Sequence, residues 1–514
     1  MMHRRLYTED SKKMRGKTIS VLKTVIFCFL VAVIVVRTGN ILTLKGKEYL
    51  AYYSSVQHSE FYEMEKDTVD VLFLGTSHSY CGFSPQEFYD RCGIRSYNLG
   101  TSRQSIWLSY YWLKEALKTQ KPKIVVQELY YAGGSNENEA SVQKGLSFMK
   151  WSRDKAEAVS TAVEEYPELS FKSFIFPNMR FHGRWNELTA EDFPLPEIRD
   201  TGALKGYAPT LERLGETEYK LIREADDGKK TDEGSGFEYW PETAEEAQWP
   251  DLSKEYMDKI TALCKEKGIT LVLVKTPSAR GWSAEDHNAA KSYARENGLA
   301  FYDLNTLKYY KAMNYDISVD NKDEGHANIW GAAKIADLLG NLLISEQNAP
   351  SIKDKQWEET AAYSEKIKKE IGLIYIDNAE MYLKTLSEGD YDIFVSVKGS
   401  TSEMKENLKE AMREIGFSKP MDEYYTAACD MRNAVKQEDA GEKEALVEGT
   451  VHNGLIGYKI TSGYDQEEAA SILIDGEEYS LNREGVNIVV YSKTFQTVLD
   501  SVCLSSDHDY ELQR

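Results

Sequence analysis

Two short segments carry the residue types of a serine acyl-transfer site. Ser77 lies in residues 75–79, directly after an apolar run. A serine at a strand-to-helix turn exposes its hydroxyl at the carboxyl edge of a sheet, where the following backbone N–H groups can face an oxyanion. Asp323 precedes His326 by three positions, so it can orient the imidazole while the other ring nitrogen takes a proton from serine. The pattern predicts Ser77 as nucleophile, His326 as base and Asp323 as orienting acid.

Further residues are candidates for oxyanion or substrate contacts. Gly100, in residues 98–102, permits close backbone approach and offers an N–H to the oxyanion beside that of Ser77. Asn98 and His78 are candidate substrate contacts, although His78 could equally fill the turn. A cationic and aromatic cluster suits an anionic sugar or phosphate polymer, with a buried aromatic patch as the alternative. The cluster comprises Arg180, His182, Arg184 and Trp185.

Alternating strand and helix patterns must position these residues. Apolar runs predict strands at 69–74, 95–99, 123–129, 269–274 and 299–304, and apolar periodicity predicts helices at 104–119, 254–267, 287–297 and 329–343. This order predicts an α/β fold for residues 38–345, a parallel sheet with helices on both faces. Residues 133–250 interrupt the rhythm and predict a lid or substrate-recognition insertion. Most of the acidic stretch 224–246 is interpreted as a solvated loop.

The C-terminal part changes pattern. Residues 346–370 form a polar, charged connector, and residues 371–514 predict a separate α+β module. Its predicted strands are 392–397, 469–474 and 486–491, with a helix at 402–415.

The charge distribution predicts membrane topology. The chain has 514 residues and a net charge of −21, which disfavours nucleic acid as a partner. Residues 1–17 are nevertheless basic, with six Lys or Arg against two acidic residues. They precede the apolar run 25–36, so residues 18–37 predict a signal anchor with residues 1–17 cytoplasmic and 38–514 extracytoplasmic. A cleaved signal peptide or a buried core helix are the alternatives.

Cysteine usage points away from metals and disulfide frameworks. The six cysteines include no C-x-x-C pair, and one of them, Cys28, lies in the apolar run. Neither a disulfide scaffold nor a zinc site is indicated, and no metal or cofactor is predicted.

The order of the chemical segments resembles the SGNH/GDSL hydrolase superfamily over about residues 66–345. Residues 323–332 read D-x-x-H-x-N-x-x-G-A, a version typical of membrane-anchored members such as the teichoic-acid D-alanyl transfer and alginate O-acetylation proteins. The resemblance implies a three-layer, flavodoxin-like α/β/α sheet, the Ser77, His326 and Asp323 roles given above, and Gly100 as oxyanion donor. Two departures stand out: position 76 is Thr rather than Asp, and Glu128 occupies the region of the usual Asn donor, which an ionised carboxylate cannot replace.

Residues 371–514 resemble an interleukin-like EMT inducer (ILEI/PANDER-type) domain, on 389–398, 472–491 and 498–502. The segments stand in permuted order relative to the animal proteins. This resemblance implies a saccharide-binding appendage. A structural or oligomerising domain is the alternative.

Taken together, these patterns predict a membrane-anchored acyltransferase acting outside the cytoplasm. A serine acyl-enzyme would pass an acetyl or D-alanyl group to a cell-surface polysaccharide or teichoic acid, beside a membrane protein that supplies the acyl donor. An esterase using water with the same triad is one alternative. A catalytically silent glycan-binding or assembly protein is the other.

Overall fold

The structure is a computed structural model, which describes most of the chain. The described residues are 2–42, 61–133, 139–147, 149–186, 188, 204–216, 219–220, 245–419, 421, 424–430, 435–451, 456–463, 469–492 and 497–514.

Five parallel strands form the central sheet in the order β2-β1-β3-β4-β5. They are β1 (Val71–Leu74), β2 (Ser96–Asn98), β3 (Ile124–Glu128), β4 (Thr270–Lys275) and β5 (Ala300–Asp303). Each matches a predicted strand to within two residues at either end. The apolar runs identified them because parallel strands are buried on both faces.

Helices cover both faces of this sheet, which confirms the predicted α/β class. Val71 and Phe73 point into one apolar core, whereas Leu72 and Leu74 point into the other. The helices of residues 61–354 are Ser77–Gly82, Pro85–Cys92, Ile106–Ala116, Glu139–Ser147, Arg153–Glu165, Phe171–Ile175, Pro177–Phe181, Asp251–Lys267, Ala284–Asn297, Leu307–Met313, Ile317–Asp320 and Ile329–Gln347, with a 3₁₀ turn at His182–Asn186.

Local capping explains one helix boundary that periodicity missed. The helix Ala284–Asn297 starts three residues earlier than predicted, because Ser283 and Asp286 form a reciprocal capping box. At its other end Gly298 adopts a φ of 66°, the left-handed conformation that commonly ends a helix.

Part of the predicted insertion belongs to the core of the sheet domain. Val142 and Leu146 from one inserted helix, and Ala158 and Val159 from the next, are buried with Trp112 on one face of the sheet. These described helices of the predicted lid are therefore part of the hydrophobic core of the sheet domain. The stretch 221–244, most of the acidic loop, lies outside the described residues.

The C-terminal part is built on antiparallel sheets. One sheet has the order β15-β14-β13-β6-β7-β8 and the other β12-β11-β10-β9. The strands are β6 (Tyr391–Lys398), β7 (Tyr425–Asp430), β8 (Val435–Ala440), β9 (Glu444–Val451), β10 (Ile456–Gly463), β11 (Ala470–Ile474), β12 (Glu477–Glu478), β13 (Gly485–Ser492), β14 (Thr497–Ser505) and β15 (Glu511–Gln513). The helices are Lys355–Leu373, Ala379–Glu388 and Glu406–Ile415, with a 3₁₀ turn at Ser506–His508.

The three predicted C-terminal strands correspond to β6, β11 and β13, each of which is largely buried. Amphipathic strands were among those that the sequence did not predict. In β9, for example, buried and exposed residues largely alternate because one face meets solvent.

The N-terminal helix spans Met2–Leu42. Its section Thr18–Gly39 is long and apolar enough to cross a membrane, with a mean hydropathy of 2.8. That section is not buried inside the protein, which argues against a core helix, while a signal sequence would have the same character.

Candidate active site

The structure brings Ser77, His326 and Asp323 into one hydrogen-bonded chain. Ser77 Oγ lies 2.7 Å from His326 Nε2. His326 Nδ1 lies 2.9 and 2.8 Å from the two carboxylate oxygens of Asp323. Ser77 and His326 are 249 positions apart in sequence, so only the fold creates this contact.

Asp323 is held ionised by its surroundings. Burial alone would raise its pKa, but the hydrogen bond and charge of His326, with Lys322 nearby, hold the pKa well below its usual range. The backbone N–H groups of Gly325 and His326 also donate to Asp323 Oδ1, each at 2.8 Å. An ionised carboxylate only accepts hydrogen bonds, so Nδ1 of His326 carries a proton and Nε2 is left to accept from the serine hydroxyl.

A tight backbone turn presents the acid and the base together. Asn321 and Ala327 form an isolated antiparallel bridge, and Lys322 N–H donates to the His326 carbonyl at 2.9 Å. Asn328 follows the turn and caps the helix Ile329–Gln347 by accepting from the N–H groups of Trp330 and Gly331. The D-x-x-H-x-N spacing thus corresponds to a turn and a cap.

Ser77 stands at the first position of a short helix that follows β1. Thr76 caps this helix, accepting from His78 N–H at 3.1 Å, and its own hydroxyl donates to Glu128 Oε2 at 2.8 Å. Gly75 has a φ of 140°, and a Cβ there would come within 2.6 Å of the Glu128 Cβ. The glycine before the nucleophile is therefore required by both backbone conformation and space.

Glu128 is a buried anchor for the nucleophile turn. Besides Thr76, it accepts from Tyr130 N–H at 2.7 Å. Burial raises the pKa of Glu128, while the charge of Lys275 and these hydrogen bonds oppose the rise. Burial also lowers the pKa of Lys275 to about 8, against the opposing charges of Glu128 and Asp303. Its contacts place Glu128 behind the turn as a scaffold residue, consistent with the expectation that it supplies no oxyanion donor.

Of the two predicted oxyanion donors, one is engaged within the protein. Gly100 N–H donates to Asn98 Oδ1 at 2.9 Å, so the prediction that it faces an oxyanion is not supported by its contacts. Ser77 N–H makes no hydrogen bond with the described residues and is available.

Asn98 is structural rather than substrate-facing. It is fully buried, and its Nδ2 donates to the carbonyl oxygens of Ser79 and Phe83 at 2.9 and 3.1 Å. Its Oδ1 accepts from Gly100 N–H and from Ser79 Oγ. The amide therefore ties the end of β2 to the short helix after β1, and its contacts favour this bracing role over the predicted substrate contact.

Tyr80 also lies at this site, although the sequence motifs did not predict it. It follows Ser77 by three positions on the same short helix, so both side chains lie on one face. Burial raises the pKa of Tyr80, and hydrogen bonds with the side chains of Ser102 and Ser77 oppose that rise. The spacing S-x-x-Y could have identified it as a hydroxyl group beside Ser77.

His78 fills the turn beneath the triad. It is 3% exposed and stacks on Tyr130 with ring centroids 3.7 Å apart, while its centroid lies 4.8 Å from that of His326. Burial, with the charges of His326 and Lys275, lowers the pKa of His78 well below its usual value, so the ring is neutral. The sequence allowed His78 either to contact substrate or to fill the turn, and its burial favours the second role.

The predicted cationic and aromatic cluster lies against the N-terminal helix. Arg184 Nη1 donates to the Leu42 carbonyl at 2.6 Å, and Trp185 is 73% exposed. The side chains of Arg180 and His182 lie outside the described residues. The Arg184 contact lies on the N-terminal helix rather than on the triad, so it does not support the assignment of this segment to the substrate site.

Comparison of the chain with known protein families and with curated proteins finds no match to either.

Proposed function

We propose that this protein is a serine acyl-transfer enzyme of the SGNH type, anchored to a membrane by its N-terminal helix. The observation that carries the proposal is the continuous Ser77–His326–Asp323 hydrogen-bond chain. The placement of Ser77 after β1 and of Asp323 and His326 before the helix Ile329–Gln347 supports an SGNH-like arrangement of the α/β sheet.

The geometry supports a two-step acyl transfer. Ser77 Oγ attacks an ester carbonyl while His326 Nε2 takes the hydroxyl proton, and Asp323 stabilises the resulting imidazolium. The negative charge on the carbonyl oxygen is stabilised by Ser77 N–H and by the Tyr80 hydroxyl. As the tetrahedral intermediate collapses, the ester C–O bond breaks and His326 returns the proton to the leaving alcohol. This leaves an acyl group on Ser77.

An acceptor hydroxyl then attacks the acyl-enzyme, with His326 again taking its proton. The bond between the acyl carbon and Ser77 Oγ breaks, and His326 returns the proton to Ser77 Oγ, which restores the free serine. The proposed acceptor is a cell-surface polysaccharide or teichoic acid, and the proposed acyl group is acetyl or D-alanyl, delivered by a membrane acyl-donor protein. Residues 1–17 would lie in the cytoplasm and 38–514 outside it. The C-terminal module would bind saccharide as an ILEI-like domain. With water as acceptor, the same triad would make the protein an esterase.

The test uses the full-length protein in nanodiscs, a serine-directed fluorophosphonate and an aryl acetate. Ser77 should be labelled, and Ser77→Ala and His326→Gln should each lower kcat/KM by roughly 10³-fold or more. His287→Gln is the matched control, because His287 Nδ1 pairs with Asp303 at 2.7 Å but belongs to no serine triad. It should retain labelling and turnover.

Acceptor choice is read from the products. Release of free acid alone supports the esterase, whereas transfer to an added glycan, at the expense of free acid, supports the transferase. A folded wild type that neither labels at Ser77 nor turns over ester, with or without glycan, would refute the catalytic proposal.

A further inference from the structure

Residues 171–186 run beside the outer end of the N-terminal helix. Asn178 Nδ2 donates to the Val35 carbonyl at 3.2 Å, and Arg184 Nη1 donates to the Leu42 carbonyl at 2.6 Å. From the first contact to the second, the residue number rises in both segments, so the two segments run in the same direction where they touch. The membrane-length section ends at Gly39, so one contact lies within it and the other beyond it. At 1.5 Å per helical residue, Val35 lies about 6 Å inside that end.

The same segment exposes large apolar side chains. Ile175 and Phe176 are both 44% exposed, Met179 is 49% exposed, and Trp185 is the most exposed of the four. Ile175 and Phe176 also line an apolar groove of about 560 Å³ whose other wall is the N-terminal helix between Phe27 and Gly39. Clusters of this kind mark an interaction surface rather than ordinary solvent-facing structure.

The charge of the segment differs from that of the chain. Residues 171–186 contain Lys172, Arg180 and Arg184 and no acidic residue, although the whole chain carries −21. Basic residues interleaved with aromatic ones suit the headgroup region of a bilayer, where tryptophan rings and cations are both favoured.

We propose that residues 171–186 form an interfacial membrane-binding element that dips into the outer boundary of the bilayer beside the N-terminal helix. The depth of about 6 Å agrees with the 5–10 Å typical of helices lying in the interface. The occupant of the exposed apolar face is therefore lipid, because the face is continuous with a helix section of membrane-spanning length. The element fastens the α/β domain to the membrane surface independently of its catalytic activity.

The experiment measures the depth of spin labels in the full-length protein, reconstituted in nanodiscs containing anionic lipid. Cys28→Ser removes the exposed cysteine, and the other five cysteines are buried. Labels are then placed by Met179→Cys and Trp185→Cys in the segment. Leu446→Cys in the C-terminal module is the matched control, because Leu446 is an apolar side chain with a similar 47% exposure.

The label at 179 should be several-fold more accessible to oxygen than to a nickel chelate, and the label at 185 should lie shallower. The control label should favour the chelate. Equal chelate access at 179 and 446 would overturn the proposal, as would dipolar broadening at 179 that shows a second copy on this face. Retained thermal unfolding midpoints of the labelled variants show that they are folded, and mass measurement shows that the N-terminal helix is present.

Discussion

The proposed oxyanion stabilisation depends on single groups at this site. The sequence motif predicted the Gly100 N–H as one oxyanion donor, but this N–H already donates a hydrogen bond to Asn98 Oδ1. We propose the Tyr80 hydroxyl, which lies beside the side chains of Ser77 and Ser102, as the second donor. A phenol is suited to this role because it donates to a developing negative charge without carrying charge itself.

Replacing Tyr80 by Phe tests this role. Tyr80→Phe should lower kcat for aryl acetate by about 10² to 10³-fold, the range seen when one oxyanion donor is lost. The unfolding midpoint should change little. Tyr111→Phe is the control, since the Tyr111 hydroxyl bonds to Thr161 and Tyr256 rather than to the triad. A loss confined to KM, or an unchanged kcat, would remove Tyr80 from the oxyanion site.

At the scale of elements, one asparagine joins the turn of Asp323 and His326 to the helix that follows it. Asn328 Oδ1 caps the helix Ile329–Gln347, and its Nδ2 donates to the carbonyl oxygens of Glu212 and Val319 at 3.0 and 2.8 Å. The side chain is fully buried, so water does not replace it as the hydrogen-bond partner of these two carbonyl oxygens. The turn that carries His326 directly precedes Asn328. The position of His326 therefore depends on the hydrogen bonds of the Asn328 side chain.

Asn328→Ala should destabilise the protein by about 2 to 4 kcal/mol, from a lost cap and two carbonyl groups left without their partner. It should also lower ester turnover by displacing the turn. Asn378→Ala is the matched comparison, because Asn378 is an exposed cap that accepts from Met381 N–H at 2.9 Å. That change should cost about 1 kcal/mol. Chemical unfolding measures both, and equal losses would contradict the bracing role.

Across the whole molecule, Glu212 links the C-terminal module to the turn that carries Asp323. The Asp377 backbone N–H donates to the Glu212 carboxylate, and Lys322 and Asp323 are also close enough to influence it. Burial, followed by the charge of Asp377, raises the pKa of Glu212 to about 7, with a smaller contribution from Asp323 and an opposing one from Lys322. Folding therefore favours the protonated form of this carboxyl.

The stability that Glu212 contributes is fully present below its unfolded pKa, near 4.5, and is lost as pH rises through about 7. Glu212→Gln keeps an acceptor for Asp377 N–H and removes the ionisation. At pH 8.5 the free energy of unfolding of the variant should exceed that of wild type by about 1 to 2 kcal/mol, because the partial exposure of Glu212 weakens the effect. At pH 5 the two free energies should differ little. Glu442→Gln, at an exposed position, provides the control. Equal differences at the two pH values would disprove the linkage.

The sequence by itself determined the elements and the order of the chemical residues. The strands of the parallel sheet could be identified because burial on both faces makes each a short apolar run, and Ser77, Asp323 and His326 could be named because their local spacing carries their roles. The N-terminal helix was evident from the length and hydropathy of its apolar section Thr18–Gly39. Strands such as β9 were not, since alternating burial in a charged sequence is a weaker signal.

Only the tertiary structure decided how these groups meet. Ser77 and His326 come together across 249 positions, Gly100 N–H turns to Asn98, and Tyr80 takes a place beside the nucleophile. Arg184, one of the residues that composition offered as candidate substrate contacts, donates instead to the N-terminal helix at Leu42. The physical reason is that periodicity reports which side of an element is buried, whereas the partner of a single N–H or side chain depends on packing between elements distant in sequence.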